Sequence, residues 1–314
     1  MPLIIKNRQC LAKIESSAGT PETLAAADGA ENFSNPQFTP NVPPYVREGQ
    51  GSLSKPCSIA GAQSGSYTVR TELYNNTSNA PFWATVLAPT AGLKLTGSTL
   101  TLETGGTATL TFAENIGANR FEIAGAQCNL KLVADKVGEP IKLDWSINGS
   151  FVTPYTSSLL TPAYPSIVPP RFVGAALTLA NATASGDFIV SKFELDLGNK
   201  VTLREDGSNG TTNTTGYVGS VIVDRDPTLK ITVEVPLISS HNFYTDLLAS
   251  TESQFSFKIG NTTSGFITVT APKLQVREIS HSDKEGIFTY DLTCGLNRNG
   301  TNGDSELSIV LSQT

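Results

Sequence analysis

Apolar positions in this chain mostly alternate with polar ones, and alternation with period two marks half-buried strands. In "SYTVRTEL", Tyr67, Val69, Thr71 and Leu73 share one face and Thr68, Arg70 and Glu72 the other. Leu229, Ile231, Val233 and Val235 alternate the same way against Lys230, Thr232 and Glu234. The pattern predicts further strands in "AKIESS", "LKLTGSTLTLETGGTATLTF", "RFEIAGAQCNLKLVA", "FELDLGNKV", "GFITVTAPKLQVRE" and "GIFTYDLTCGL". In "IKLDWSING", Ile141, Leu143, Trp145 and Ile147 share a face. Helical spacing follows two of these strands. Phe82 and Val86, then Trp83 and Leu87, stand four apart, with Asn79 as the expected cap and Pro81 in the first turn. Phe243 and Leu247, then Tyr244 and Leu248, reproduce that spacing 161 residues on, with Ser240 as the expected cap. These eight residues and Trp145 form the candidate core.

The same order of elements therefore occurs twice. Even the loop openings agree, "YVREGQGS" against "TLREDGSN". Five prolines between Pro154 and Pro170 stiffen the chain and remove ladder donors, which places a linker at about 154–170. The expectation is an all-β chain of two duplicated β-sandwich domains, 1–160 and 161–314, each with one short helix. A single large all-β domain also fits 314 residues. Two long segments, Asn32 to Gly65 and Arg204 to Pro227, carry Gly, Pro, Asn and Thr in place of a clear period. Such irregular connections are usually binding loops. The strands are rich in Thr and are expected to lack edge prolines, which would leave their edges open to pairing between subunits.

Composition sharpens this picture. Charged residues are 16% of the chain, well under the usual quarter. That suits short strands and many turns, and equally a surface covered by other subunits. The net charge is −6, from 22 basic and 28 acidic residues, with most of the excess in the second half. No basic run exists, so gripping nucleic acid through its phosphates is excluded as the main function. A mild acidic excess suits solubility, and it suits a surface that DNA slides past. Cys10, Cys57, Cys128 and Cys294 are scattered and form no CxxC pair, which points to free thiols in a reducing cytosol. The N-terminal apolar run is too short for a signal peptide core, and nothing approaches a membrane span.

Little chemistry is written here. His241 and His281 are the only histidines, and there is no GxSxG, HExxH or Walker-type loop. Asp224 and Asp226 in "VDRDP" could hold a cation, but a capped turn before Pro227 is the more ordinary use. No cofactor, metal or enzymatic activity is expected.

The residues that narrow the reading further are "KIESSAGTPETLAAADGAENFSNPQFTP", "YVREGQGSLSKPCSIAGAQSGSYTVRTEL" and "APFWATVLAPTAGL", then "SKFELDLGNKV", "VDRDPTLKITVEVPL", "ITVTAPKLQV" and "DKEGIFTYDLTCG". Across nearly the whole chain these resemble the tail tube proteins of long-tailed bacteriophages (siphophage type), in particular the two-domain kind. The resemblance implies tandem sandwich domains whose sheets join between subunits into a lumen-lining β-barrel. It implies homotrimeric, pseudo-hexameric rings stacked into a tube, with a hexamer as second choice. The implied partners are tail tip, terminator and tape-measure proteins, and double-stranded DNA that passes without specific binding. The implied location is the virion tail, assembled in the bacterial host cytoplasm. Through the same resemblance the two long loops, from about Pro40 to Gly61 and from Asn199 to Asp226, become candidates for contacts between rings, with Tyr45, Arg47, Glu48, Arg204, Glu205, Asp224, Arg225 and Asp226 as candidate residues. The two loops differ in length, which puts their equivalent use in doubt. The rival reading is a two-domain β-sandwich adhesin that binds a host surface. It would call for exposed aromatics on loops, whereas Trp83 and Trp145 sit in patterns that predict burial.

Overall fold

The structure, a computed structural model, describes residues 5–51, 53–76, 79–179, 182–183, 188–208, 215–261, 265–301 and 303–312. Its first half contains β1 (Arg8–Ile14), β2 (Ser34–Asn41), β3 (Pro44–Tyr45), β4 (Ile59–Ala60), β5 (Ser64–Glu72), β6 (Leu93–Thr96), β7 (Thr99–Leu102), β8 (Leu110–Ile116), β9 (Asn119–Ala134) and β10 (Lys142–Thr156). The second half contains β11 (Ala176–Leu179), β12 (Ala182–Thr183), β13 (Val190–Asp196), β14 (Asn199–Glu205), β15 (Tyr217–Arg225), β16 (Thr228–Glu234), β17 (Glu252–Asn261), β18 (Gly265–Lys284), β19 (Ile287–Leu296) and β20 (Ser308–Ser312). The fold is all-β with few, short helices.

The two halves repeat one pairing scheme. β5 lies between β2 and β10, and β16 lies between β13 and β19. The long strands β9 and β18 each pair with the strand that follows them, β10 and β19. Each also pairs with the strand before it, β8 and β17, which in turn pairs with β1 or β11. Matching bulges lie between Leu110/Phe112 on the β8–β9 ladder and between Ser253/Phe255 on the β17–β18 ladder. The parallel is incomplete: among the described residues the β6–β7 hairpin has no counterpart in the second half, and β7 pairs with β20, which has none in the first.

Two layers result. One is an eight-strand run in the order β18-β19-β16-β13-β9-β10-β5-β2. The other is built on β8 and β17, towards which β9 and β18 bend. Between them the aromatics meet: Tyr67 on β5 lies 4.8 Å from Phe112 on β8, and Phe193 on β13 lies 4.8 Å from Phe257 on β17. Most buried apolar side chains of both halves form one continuous cluster, and Leu11, Leu24 and Ala113 form a small second one. The 157–170 stretch has no regular structure and packs back on the first half, where Gln9 exchanges two hydrogen bonds with the backbone of Leu160.

Several local expectations need correction. Residues 34–41 are a strand, although Pro36 and Pro40 hide it from any propensity reading. Among the described residues β2 pairs only with β5, so these are edge prolines after all, and a free edge is where a sheet tolerates them. The second long loop is largely the β14–β15 hairpin, while its Gly/Asn/Thr tract at 209–214 lies outside the described residues. The first helix is a widened turn, Trp83–Leu87, running into Ala88–Thr90. Pro89 lacks the N–H that would close an α-turn onto Thr85. No side chain caps this helix, so Asn79 does not have the expected role. In the second helix, Phe243–Ala249, Asn242 is the cap and accepts from the N–H of Tyr244. Ser240 instead closes a turn onto Leu237.

Trp83, Leu87, Trp145 and Phe243 are fully buried, and Phe82, Val86 and Leu247 are partly buried against the same cluster. Tyr244 and Leu248 are exposed, the latter by 85%. The first helix buries both of its apolar rows. The second buries little beyond Phe243, because none of the described residues lies over its outer side.

Beside the first helix, Glu31 is only 1% exposed and accepts from Tyr74 Oη at 3.0 Å and the N–H of Asn32 at 2.9 Å. Burial pushes its carboxyl up to about 7, and the bonds from Asn32, Tyr74 and Trp83 offset only part of that. Because the folded value lies above the unfolded one, Glu31 contributes most below about pH 4.3, and that contribution is lost as pH rises through about 7. Each pH unit between the two values is worth about 1.4 kcal/mol, so on the order of 3 kcal/mol separates the ends. Glu31→Gln should therefore raise the urea midpoint at pH 8 and change it little at pH 5. An equal shift at both would refute this reading of the carboxyl.

Candidate assembly surface

A sheet edge leaves a row of backbone donors and acceptors that must be paired, covered or left to water. The chain meets that demand once internally. β13 of the second half pairs antiparallel with β9 of the first, with Phe193 opposite Ala134, Glu194 opposite Val133, Leu195 opposite Leu132 and Asp196 opposite Lys131. Leu197 N–H continues the ladder onto Leu130 O at 3.0 Å. On the core side the joint is apolar. On the opposite side Lys131 Nζ bridges Asp196 at 2.9 Å and Glu194 at 3.2 Å, and Asn129 donates to Asp196 at 2.7 Å. Burial raises the Asp196 carboxyl, but the bonds from Asn129, Lys131 and Gly198 outweigh it and hold the group below its ordinary value. Hydrogen bonding to Asp196 in turn lifts Lys131. Both groups stay charged near neutral pH, and the pairing crosses the joint.

The polar face of the eight-strand run continues this pattern. One cross-strand row reads Arg70, Asp144, Lys131, Asp196, with alternating sign from β5 to β13. Arg70 and Asp144 form a two-point pair, Nη2 to Oδ2 at 2.7 Å. The face thus carries charge that is largely neutralised in place.

A second contact reinforces the joint. The β14–β15 hairpin lies over β9 and β10 of the first half. Ser220 Oγ accepts from Gln127 N–H at 2.6 Å and donates to Gly125 O at 2.8 Å, and Gln127 Oε1 accepts from Ile222 N–H at 2.7 Å. Asn199 N–H reaches Asn129 Oδ1 at 2.9 Å. The seat is tight. Gly125 has φ +60, and a Cβ there would come within 2.6 Å of Gly219 Cα and 3.0 Å of Gly19 Cα. Buried Glu15 fixes this crossing by accepting from the N–H groups of Gly19 and Gly125 and from the hydroxyls of Thr109 and Thr111, all between 2.7 and 2.9 Å. Sequence reasoning missed Glu15, Gly125 and Gln127. The Glu15 and Gly19 pair in "KIESSAGT" was the only local hint, and it carries no period.

The eight residues expected between rings separate into two groups. Tyr45, Arg47 and Glu48 lie on the exposed arm between β2 and β5, with Tyr45 68% exposed. Arg204 and Glu205 end β14 and are also exposed, Arg204 lining a cleft of about 470 Å³ with Gly106, Gln127 and Ile222. Asp224 accepts from the N–H of Arg225. Arg225 is committed within the chain, to Asp304 at 2.8 Å, and Asp226 to Arg277 at 3.1 Å. The last two pairs tie the hairpin base to its own half.

Both histidines have partners that explain them: His241 lies 2.9 Å from Asp246, and His281 lies 2.6 Å from Tyr244 Oη. Among the described residues no cluster of three His, Cys, Asp or Glu could hold a metal ion. Cys10, Cys128 and Cys294 are free and buried, and burial pushes the thiols of Cys128 and Cys294 up to about 12. Cys57 is free and exposed.

The geometry is thus that of an all-β sandwich whose long sheet ends, among the described residues, at two open edges. The chain matches the family model described as phage tail tube protein over residues 6–309, and it belongs to that family. No curated protein matches it. The family is one of structural proteins of the phage tail and not of enzymes, which makes this chain a tail component that assembles with copies of itself.

Gly125→Ala should destabilise the protein by about 1–3 kcal/mol, because a side chain is forced into left-handed backbone at a backbone crossing. Limited proteolysis should then cut the β14–β15 hairpin well before the remainder of the fold. Unchanged protection of the hairpin would mean that Gly125 does not control its seat.

Proposed function

We propose that this protein is the major tail tube subunit and that it closes rings by repeating, between chains, the joint it already makes within itself. Two counterpart edges remain open among the described residues. One is β2, the counterpart of β13. The other is the end of β18, the counterpart of the β9 segment that receives β13. Carrying the internal register over sets Phe38 of one chain opposite His281 of the next, and Thr39 opposite Ser280. The repetition is head to tail, so it closes only if the rotation per step divides a full turn. Each chain supplies two like units, 1–160 and 161–314, and three chains fill a six-place ring. A hexamer of chains is the second choice.

In such a ring the eight-strand runs form a closed barrel, and their polar face lines the lumen. The paired charges and the mild acidic excess repel the DNA backbone without offering it a row of cations to bind. Rings then stack into a tube that conducts DNA, with Tyr45, Arg47, Glu48, Arg204 and Glu205 as the exposed candidates for contacts between rings. Tail tip, terminator and tape-measure proteins would bound and fill the tube. The internal β13–β9 joint is the observation that supports this reading most directly.

Negative-stain electron microscopy of the purified, concentrated protein should show rings or hollow tubes with three- or six-fold end views. Asp283→Pro, on the exposed end of β18, removes a donor that the carried-over register turns towards the neighbouring chain. It should leave the melting temperature within a few degrees and abolish the rings. Discrete particles under all folding conditions, or rings that survive the proline, would count against edge pairing.

A further inference from the structure

The arm between β2 and β5 is nearly all exposed, whereas its counterpart in the second half is docked. The two correspond residue for residue near their bases. Pro44 opposite Ala60 and Tyr45 opposite Ile59 occupy the places of Val201 opposite Ile222 and Thr202 opposite Val221. The spacing from Thr39 to Pro44 equals that from Asp196 to Val201, and the spacing from Cys57 to Ser64 equals that from Gly219 to Asp226. Ser58 therefore stands where Ser220 stands, and Cys57 where Gly219 stands.

The receiving surfaces differ in the complementary sense. Aligning the two bulges places Gly125, Gln127 and Asn129 of β9 at Lys273, Gln275 and Glu278 of β18. Gln127 is 2% exposed beneath the β14–β15 hairpin. Arg277 and Glu278 are exposed, and Gln275 is half-buried with only its own half around it. Among the described residues the chain thus holds one seated arm, one undocked arm and one seat with no arm upon it. The bare arm also displays Tyr45, Val46, Leu53 and Ile59, each more than half exposed. Apolar side chains grouped on a segment that touches little of its own chain call for a covering surface.

We propose that the 42–61 arm clasps the second half of the adjacent copy in the same ring, over Lys273, Gln275 and Glu278, as residues 199–225 clasp the first half of their own chain. The proposal rests on the ring reading above. It assigns this arm mainly to contacts within a ring, where the resemblance led to contacts between rings. It also supplies what the β2 edge lacks. Pro36 and Pro40 have no N–H to give, and Pro36 O is already taken by Arg8, so the backbone ladder there is short.

Cys57 is a native probe, because the other three cysteines are buried. The full-length protein carrying Lys273→Cys, and separately Gln275→Cys, would be assembled, mildly oxidised and run on non-reducing gels. Covalent multimers up to the ring size are expected, and they should vanish when Cys57→Ser is added. Replacing residues 46–58 with a short turn should lower the yield of rings at least tenfold while the melting temperature of the monomer holds. If rings or tubes form but neither position links to Cys57, the clasp is refuted and the ring reading stands. The same holds if the shortened arm leaves rings intact and abolishes only stacking. If no rings form from any version, both fail together.

Discussion

The structure depends on what happens to the edges of its long sheet. Every strand interior to that sheet has its donors and acceptors satisfied by neighbours, and only the terminal strands do not. The β13–β9 joint turns two shorter sheets into one eight-strand run and removes one pair of edges. Among the described residues it leaves the equivalent pair at the two ends, β2 and the end of β18. A chain that solves an edge problem once by a head-to-tail contact has, by the same geometry, posed it again at its ends. Self-association follows from that asymmetry more naturally than from any single attractive patch.

The joint is more than a ladder of backbone bonds. On its core side it is continuous with the main apolar cluster, which runs through both halves, so the halves are not free to move apart without opening that cluster. On its polar side Lys131 is shared between two carboxylates of the opposite half. Exposed ion pairs of this kind contribute little to stability individually. Their role here is register: a slip by one residue would carry Lys131 to the core face and Leu132 out of it. The β14–β15 hairpin adds a third layer of specificity, possible because Gly19, Gly125 and Gly219 let three backbone segments cross with no side chain between them.

These features also bear on how a conduit can be inert. A surface that binds DNA presents unpaired cations, and one that repels it strongly would oppose packing and passage. The row Arg70, Asp144, Lys131, Asp196 does neither, since each cation already faces a carboxylate across the ladder. In the proposed ring the lumen is therefore polar and weakly acidic, with charges that are locally spent.

The period-two pattern by itself determined the all-β class, and with the four-residue spacings that interrupt it, both helix positions and the repeated order of elements, because burial on one face imposes its period wherever the partner element lies. Alternation placed Trp145 inside, and the helical spacing placed Trp83 and Phe243 there. The pattern could not find β2, since two prolines mask the strand and only a free edge makes them tolerable. Nor could it place Leu248, whose helical spacing is apolar although none of the described residues covers that side. The joint of β13 with β9, the seat built by Glu15 and Gly125, and the contrast between a docked and an undocked arm were decided by tertiary structure alone. They join residues tens to hundreds of positions apart, and pairing between strands leaves no periodic trace in the sequence of either one.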